Sequence, residues 1–225
     1  ISRITGFARE ISLASVYGAT IFTDAYLIST AVPSVIFTGI GMAVESILIS
    51  MHPKIIHKQG REETDNFMSS LLNLVIVVAA AVSVGTLIFA APLVRMFAIG
   101  FKEGTLKITV EFTRILLPGI IFIGIYYFFT GYLEISKKYE IPTIVKIPNN
   151  ALIIACIFLS NKRSIYILLF GTLAGLVVQA VILIYYSFKS GFTYKPIINL
   201  HDRNIKSAFL LIMPVFIGIA VQQLN

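Results

Sequence analysis

Charge is scarce in this chain: Lys, Arg, Asp and Glu make up 13% of its 225 residues, while apolar residues make up 57%. That balance excludes an ordinary soluble domain, whose helices carry polar stripes that several stretches here do not have. Cysteine occurs once, at Cys156 inside an apolar run. A disulfide framework and a CxxC metal signature are therefore excluded, and the thiol is expected to serve packing. Histidine is limited to His52, His57 and His201, without HExxH-type spacing, so no metal centre is expected. The chain has no GxSxG elbow, no Walker-type GxxxxGK and no Gly-rich dinucleotide turn. Acyl-transfer, ATP-hydrolysing and hydride chemistry are not signalled; no cofactor is implied, and the chain is expected not to be an enzyme.

What the chain has instead is uncharged length. A helix needs about 20 apolar residues to cross a hydrocarbon layer, and runs of that order occupy Leu71–Val94, Ile115–Leu133 and Ser164–Phe188. A fourth span, Ala25–Met51, is interrupted only by Glu45, and a fifth, from about Ile141 to Leu159, carries Lys146, Asn149 and Asn150. Residues 1–17 look like the second half of a span, and Ser207–Leu224 looks like a span whose exit is missing. With no initiating Met, the chain is expected to be a piece of a longer one. The predicted fold class is all-α, a polytopic transmembrane helical bundle.

Lys and Arg in short connections are retained on the cytoplasmic side. Ten fall on one side, in residues 51–64, 136–146 and 188–206; five fall on the other, namely Arg95, Lys102, Lys107, Lys162 and Arg163. The ten are placed inside, which puts the N-terminus in the cytoplasm. The net charge of +7 is mostly this bias. A nucleic-acid partner is not expected, because no basic stripe with interleaved aromatics exists.

Charge within the membrane costs at least ~2.5 to 3.5 kcal/mol near the bilayer centre, so such residues face protein or water. Arg9 and Glu10 lie about two turns before Tyr17, where the first span emerges, and Arg3 lies about two turns deeper. Arg3 and Glu10 project onto one helix face, with Arg9 roughly 120° away unless Gly6 permits a bend. One reading has Arg9 neutralised by Glu10 or snorkelling to the interface. The other has this face lining a hydrated cavity for an anion, a phosphate or diphosphate, which a planar guanidinium suits. Glu45 either counters one of these cations or takes part in ion coupling. Asp24 either complements the dipole at the start of its helix or lines the cavity.

Pro33, Pro118 with Gly119, Pro142, Pro148 and Pro214 interrupt apolar spans. Broken helices in a membrane line cavities, as in alternating-access transporters. Nothing resembles a selectivity filter or an acidic pore ring. Gly171 and Gly175 in GTLAG form a small-residue face expected to pack against a neighbouring helix.

SRITGFARE, YGATIFTDAYLIS and VPS near the start, AIGF at 98–101, TRILLP at 113–118, GYLEISKKYEIP at 131–142, Asn150, Gln179, LHD at 200–202 and MPVFIGIAVQQ follow one another along the whole chain. In that order and spacing they resemble the MurJ (MviN) lipid II flippases of the multidrug/oligosaccharidyl-lipid/polysaccharide exporter superfamily. The resemblance implies two lobes of about fourteen spans in all, with residues 1–206 forming the N-terminal lobe, its first span truncated, and residues 207–225 starting a seventh span. It implies transport of an undecaprenyl-diphosphate-linked peptidoglycan precursor across the bacterial cytoplasmic membrane through a cationic central cavity. Arg3, Arg9 and Asp24 match substrate-site residues of the family, and Glu10, Glu45, Asn150 and Gln179 are further cavity or ion-coupling candidates. The implied partners are the lipid-linked glycan, the bilayer and cell-wall synthesis proteins. One departure stands out: Phe37 and Thr38 replace the family's arginine pair, and Met42 replaces a Glu, with Glu45 three residues later. An exporter of another polyprenyl-linked oligosaccharide is the runner-up, ahead of a drug/cation antiporter and a scaffold.

Overall fold

Where the chain loses its side-chain run at Gly18, the first helix stops. In the computed structural model, which describes residues 2–161 and 163–212, α1 runs Ser2–Tyr17. Gly18 follows with φ 57° and donates its N–H to the Ala14 carbonyl, a left-handed helix terminator that a glycine adopts without strain.

The second element, α2, is 68 residues long, Ile21–Ile88. Straight, it would extend about 100 Å, more than three hydrocarbon thicknesses. It is broken at Gly60, whose φ of 85° and ψ of −177° lie where L-residues are strained. The two arms fold back on each other. Val44, Ile47 and Leu48 share a core with Leu71, Leu72 and Val75, and Phe37 shares one with Ala79. The predicted connection at 51–64 is thus corrected: it is helical except at Gly60, because Met51 and Ile55 continue the buried stripe of the first arm.

The second arm ends at Ile88, sooner than the Val94 expected from hydropathy, and α3 starts again as Ala90–Phe97. Pro92 explains the break, since it has no N–H to give the carbonyl four residues back. The next span is longer than its uncharged run. It joins α4, Glu103–Leu116, to α5, Gly119–Ile135, across a 48° bend at Leu117 and Pro118. The buried Leu117 carbonyl, released by the bend, accepts hydrogen bonds from Ser83 Oγ at 3.1 Å and from the Ile120 N–H at 3.0 Å, which satisfy an oxygen that lipid could not.

After α6, Glu140–Ile144, α7 runs Lys146–Asn161 and α8 runs Tyr166–Lys189, matching the spans predicted at 141–159 and 164–188 to within about five residues. Gly171 and Gly175 of α8 serve the predicted packing: a methyl at Gly171 would collide with Cys156, and one at Gly175 with the Asn149 side chain. The thiol is thereby a packing group. Helix α1 runs against α7, Tyr17 donating to Ser160 Oγ at 2.6 Å and Asn150 donating to Thr5 Oγ1 at 3.1 Å. Beyond α8, residues 192–199 have no regular secondary structure, and 203–212 are helical. No strand occurs among the described residues. Lys162, Pro214 and most of the predicted last span lie outside them.

Candidate functional site: a polar cavity between the helices

Polar side chains in these apolar helices converge instead of scattering. A cavity of about 850 Å³ opens between α1, α2, α5, α7 and α8. Helix α1 contributes one stripe at helical spacing: Ser2, Gly6, Arg9, Glu10 and Leu13. At 100° per residue Arg3 falls just off its edge, and Arg3 is an exposed residue that does not line the cavity. Helix α1 stays helical through Gly6, so the two guanidiniums are not brought together by a bend there.

Arg9 is 37% exposed at its side chain, and Nη2 lies 3.9 Å from a carboxylate oxygen of Glu10, itself 67% exposed. At that length the pair is loose, and the guanidinium keeps donors for another acceptor. The amide residues sit opposite. Asn150 is almost fully buried, and Gln179 accepts from Asn149 Nδ2 at 3.2 Å. Tyr26 and Thr172 share a hydrogen bond of 2.9 Å on the same wall. Asp24 lies elsewhere. It is exposed in the first turn of α2, where a carboxylate complements the helix dipole.

At the other end of the cavity the sequence singles out Glu45 but not the side chains of α5 that surround it. Tyr126, Thr130 and Glu134 form a polar stripe of α5, and they face Glu45 of α2 and Lys146 of α7 across the same space. A spacing of four inside an otherwise apolar run was the available signal. Lys146, carried by the fifth predicted span and counted also in the connection before it, is the first residue of α7. The expected cationic character is not met by the described residues, because Arg9 and Lys146 are outnumbered by Glu10, Glu45 and Glu134. The arginine-pair positions separate as well. Phe37 is fully buried against Leu117 and Ile120, and Thr38 alone reaches the cavity.

This arrangement, a helical bundle with a bent span and a polar intramembrane hollow, is the fold of one lobe of a two-lobed membrane transporter. It superposes on an inward closed structure of the lipid II flippase MurJ with a TM-score of 0.81 at 24% identity, covering 100% of this chain and 47% of that one. It also superposes on a MATE protein in its straight conformation with a TM-score of 0.73 at 18% identity, covering 97% and 49%. A sequence model of the family described as lipid II flippase MurJ matches residues 13–225, and the chain belongs to that family. A probable lipid II flippase MurJ of Treponema pallidum (strain Nichols) is 24% identical over 238 residues, covering 100% of this chain and 44% of the relative. The chain thus spans about half the length of the relatives it matches. It is a bacterial membrane protein of a transporter family.

Proposed function

We propose that the chain forms the first lobe of a flippase that carries lipid II, an undecaprenyl-diphosphate-linked peptidoglycan precursor, across the cytoplasmic membrane. The observation that carries this reading is the family match over residues 13–225 together with Arg9 in a cavity walled by amide groups. In this reading the diphosphate is drawn to Arg9, whose planar donors suit it. Asn150 and Gln179 offer neutral hydrogen bonds to the sugar portion, and the polyprenyl tail stays in lipid. Rocking against a second lobe, which residues 207–225 lead into, exposes the cavity to each side in turn. Arg3 and Asp24 then act at the rim, where the headgroup first arrives, and Glu10 tunes Arg9. The N-terminus is cytoplasmic, by the ten-to-five distribution of Lys and Arg.

A second reading draws support from Phe37 and Thr38. With no arginine from that turn and three carboxylates in the cavity, the cargo is another polyprenyl-linked glycan with less anionic headgroup chemistry. The two separate in one experiment. The full-length gene should sustain growth of a flippase-depleted bacterium and restore exposure of lipid II on the outer leaflet; failure despite normal membrane insertion would leave the other-glycan reading standing alone. A charge-assisted hydrogen bond contributes about 1.5–3 kcal/mol. Arg9→Ala should therefore cut transport at least about tenfold, with Arg9→Lys keeping part of it.

A further inference from the structure

Away from the central cavity, a second hollow of about 440 Å³ lies between α3 and α4. Its charged lining is Arg95 of α3 with Lys107, Glu111 and Arg114 of α4. The three α4 residues recur at spacings of four and three, which is one face of a helix. Glu111 stands between Lys107 and Arg114 and could neutralise either, but it is engaged elsewhere. Tyr166 of α8 donates its hydroxyl proton to Glu111 Oε1. None of the three cations makes an ion pair within 4.0 Å among the described residues. Three cations against one occupied carboxylate leave the hollow with a positive excess and free donors.

The surroundings say what kind of anion fits. Ile135, the last residue of α5, meets the connection that carries Lys137 and Lys138. Counted back from there at 1.5 Å per residue, Arg114 lies about 32 Å along the bent α4–α5 rod, close to one hydrocarbon thickness of about 30 Å. The hollow therefore sits at headgroup depth on the far side of the membrane from that connection. Beside it, at the junction of α2 and α3 and just past α3, Ile88, Phe89, Met96 and Ile99 are 61% to 88% exposed. Free cations at headgroup level with bare apolar side chains next to them match the two parts of a lipid. We propose that Arg95, Lys107 and Arg114 hold the phosphate of an anionic phospholipid whose acyl chains lie against these apolar residues. Guanidinium groups suit a phosphate through paired donors. A free phosphate has no use for the apolar flank, and the ammonium of a zwitterionic lipid would meet the same cations. The inference does not depend on what the central cavity carries.

The test is titration of the delipidated full-length protein in detergent with phosphatidylglycerol or phosphatidylcholine, without any lipid-linked glycan, with bound lipid read by native mass spectrometry. Phosphatidylglycerol should bind saturably and at least tenfold more tightly than phosphatidylcholine. Arg95→Gln, Lys107→Gln and Arg114→Gln should each weaken it several-fold. Tyr166→Phe, which removes no charge, should also weaken it, because Glu111 is then free to pair with Lys107 or Arg114. Glu111→Gln should tighten binding several-fold, and the double variant Tyr166→Phe/Glu111→Gln should recover what Tyr166→Phe loses. Those gains are ones that damage to the fold would not produce, and they keep the test alive if an Arg variant fails to insert. The proposal is overturned if the two lipids bind alike, if the Arg and Lys variants bind like the parent, if Glu111→Gln weakens binding, or if equimolar inorganic phosphate displaces the lipid. Phosphatidylglycerol binding without lipid II transport would reject the flippase reading alone, and transport without this binding would reject the lipid site alone.

Discussion

Arg9 and Arg3 differ by six positions, and that is enough to separate their surroundings. The helix turns about 240° between them, so the stripe that carries Ser2, Gly6 and Arg9 to the cavity leaves Arg3 beside it. The same rule divides Phe37 from Thr38, adjacent residues of which one packs into the apolar core and the other touches the hollow. Gly41 shows what a single side chain would do here. A methyl at this position would run into the Tyr127 ring, which itself borders the cavity. Gly41→Ala should cost about 1–3 kcal/mol, typical of overpacking, or drive the ring into the cavity. Thermal unfolding of the purified protein measures the first outcome, and reduced transport by the full-length protein reports the second. The polar character of Asn150 and Gln179 was plain in the sequence. The α5 stripe of Thr130 and Glu134 was not, since GYLEISKK looks like the polar exit of a span until neighbouring helices close around it.

The long α2 depends on one backbone position. At Gly60 the chain adopts φ 85° and ψ −177°, and the two apolar arms can then pair. A side chain there carries strain of order 1–3 kcal/mol, so Gly60→Ala should lower the melting temperature by several degrees, and Gly60→Val should lower it more. The irregular stretch after α8 is fastened to the second arm by side chains. Ser69 Oγ receives the Lys195 N–H at 3.0 Å and donates to the Thr193 carbonyl at 3.3 Å, while Asn73 donates to the Ile197 carbonyl at 2.8 Å and accepts from Tyr194 OH at 2.9 Å. Phe192 is held among Phe128, Phe129, Tyr132 and Phe188. Each hydrogen bond contributes about 0.5–1.5 kcal/mol. Removing four of them in Ser69→Ala/Asn73→Ala should expose Lys195 to trypsin at a rate many times that of the parent, followed by peptide mapping. An irregular strap of this kind has no periodicity to betray it, because its hydrogen-bonding partners are side chains more than a hundred residues earlier.

The membrane arrangement of the molecule is open to direct labelling. With Cys156 replaced by Ala, Lys102→Cys should react with a membrane-impermeant maleimide in intact cells, and Lys138→Cys only after the membrane is opened. The reverse pattern would invert the orientation drawn from the Lys and Arg distribution. Loss of Cys156 should itself be mild, since the thiol only fills the space left by Gly171. In the proposed cycle the bent α4–α5 rod and the paired arms of α2 move as one body, because Ser83 of one arm is bonded to the Leu117 carbonyl at the bend. Ser83→Ala leaves that oxygen with the Ile120 N–H alone and should cost about 0.5–1.5 kcal/mol in thermal unfolding, the worth of one hydrogen bond.

Among the described residues the sequence alone determined which segments form helices long and apolar enough to cross a membrane, and in what order, to within the shift at Val94 and the extra turns of α4. That information is local, since each buried peptide group must be satisfied within its own helix and each apolar run is set by its own length. Tertiary structure alone decided which polar side chains meet. Helix rotation sent Arg9 inward and left Arg3 beside the cavity, and the packing of α5 at Gly131 against Glu45 of α2 brought Glu45 and Glu134 to one hollow. Such juxtapositions depend on contacts between residues far apart in the chain, and no window of sequence contains both partners.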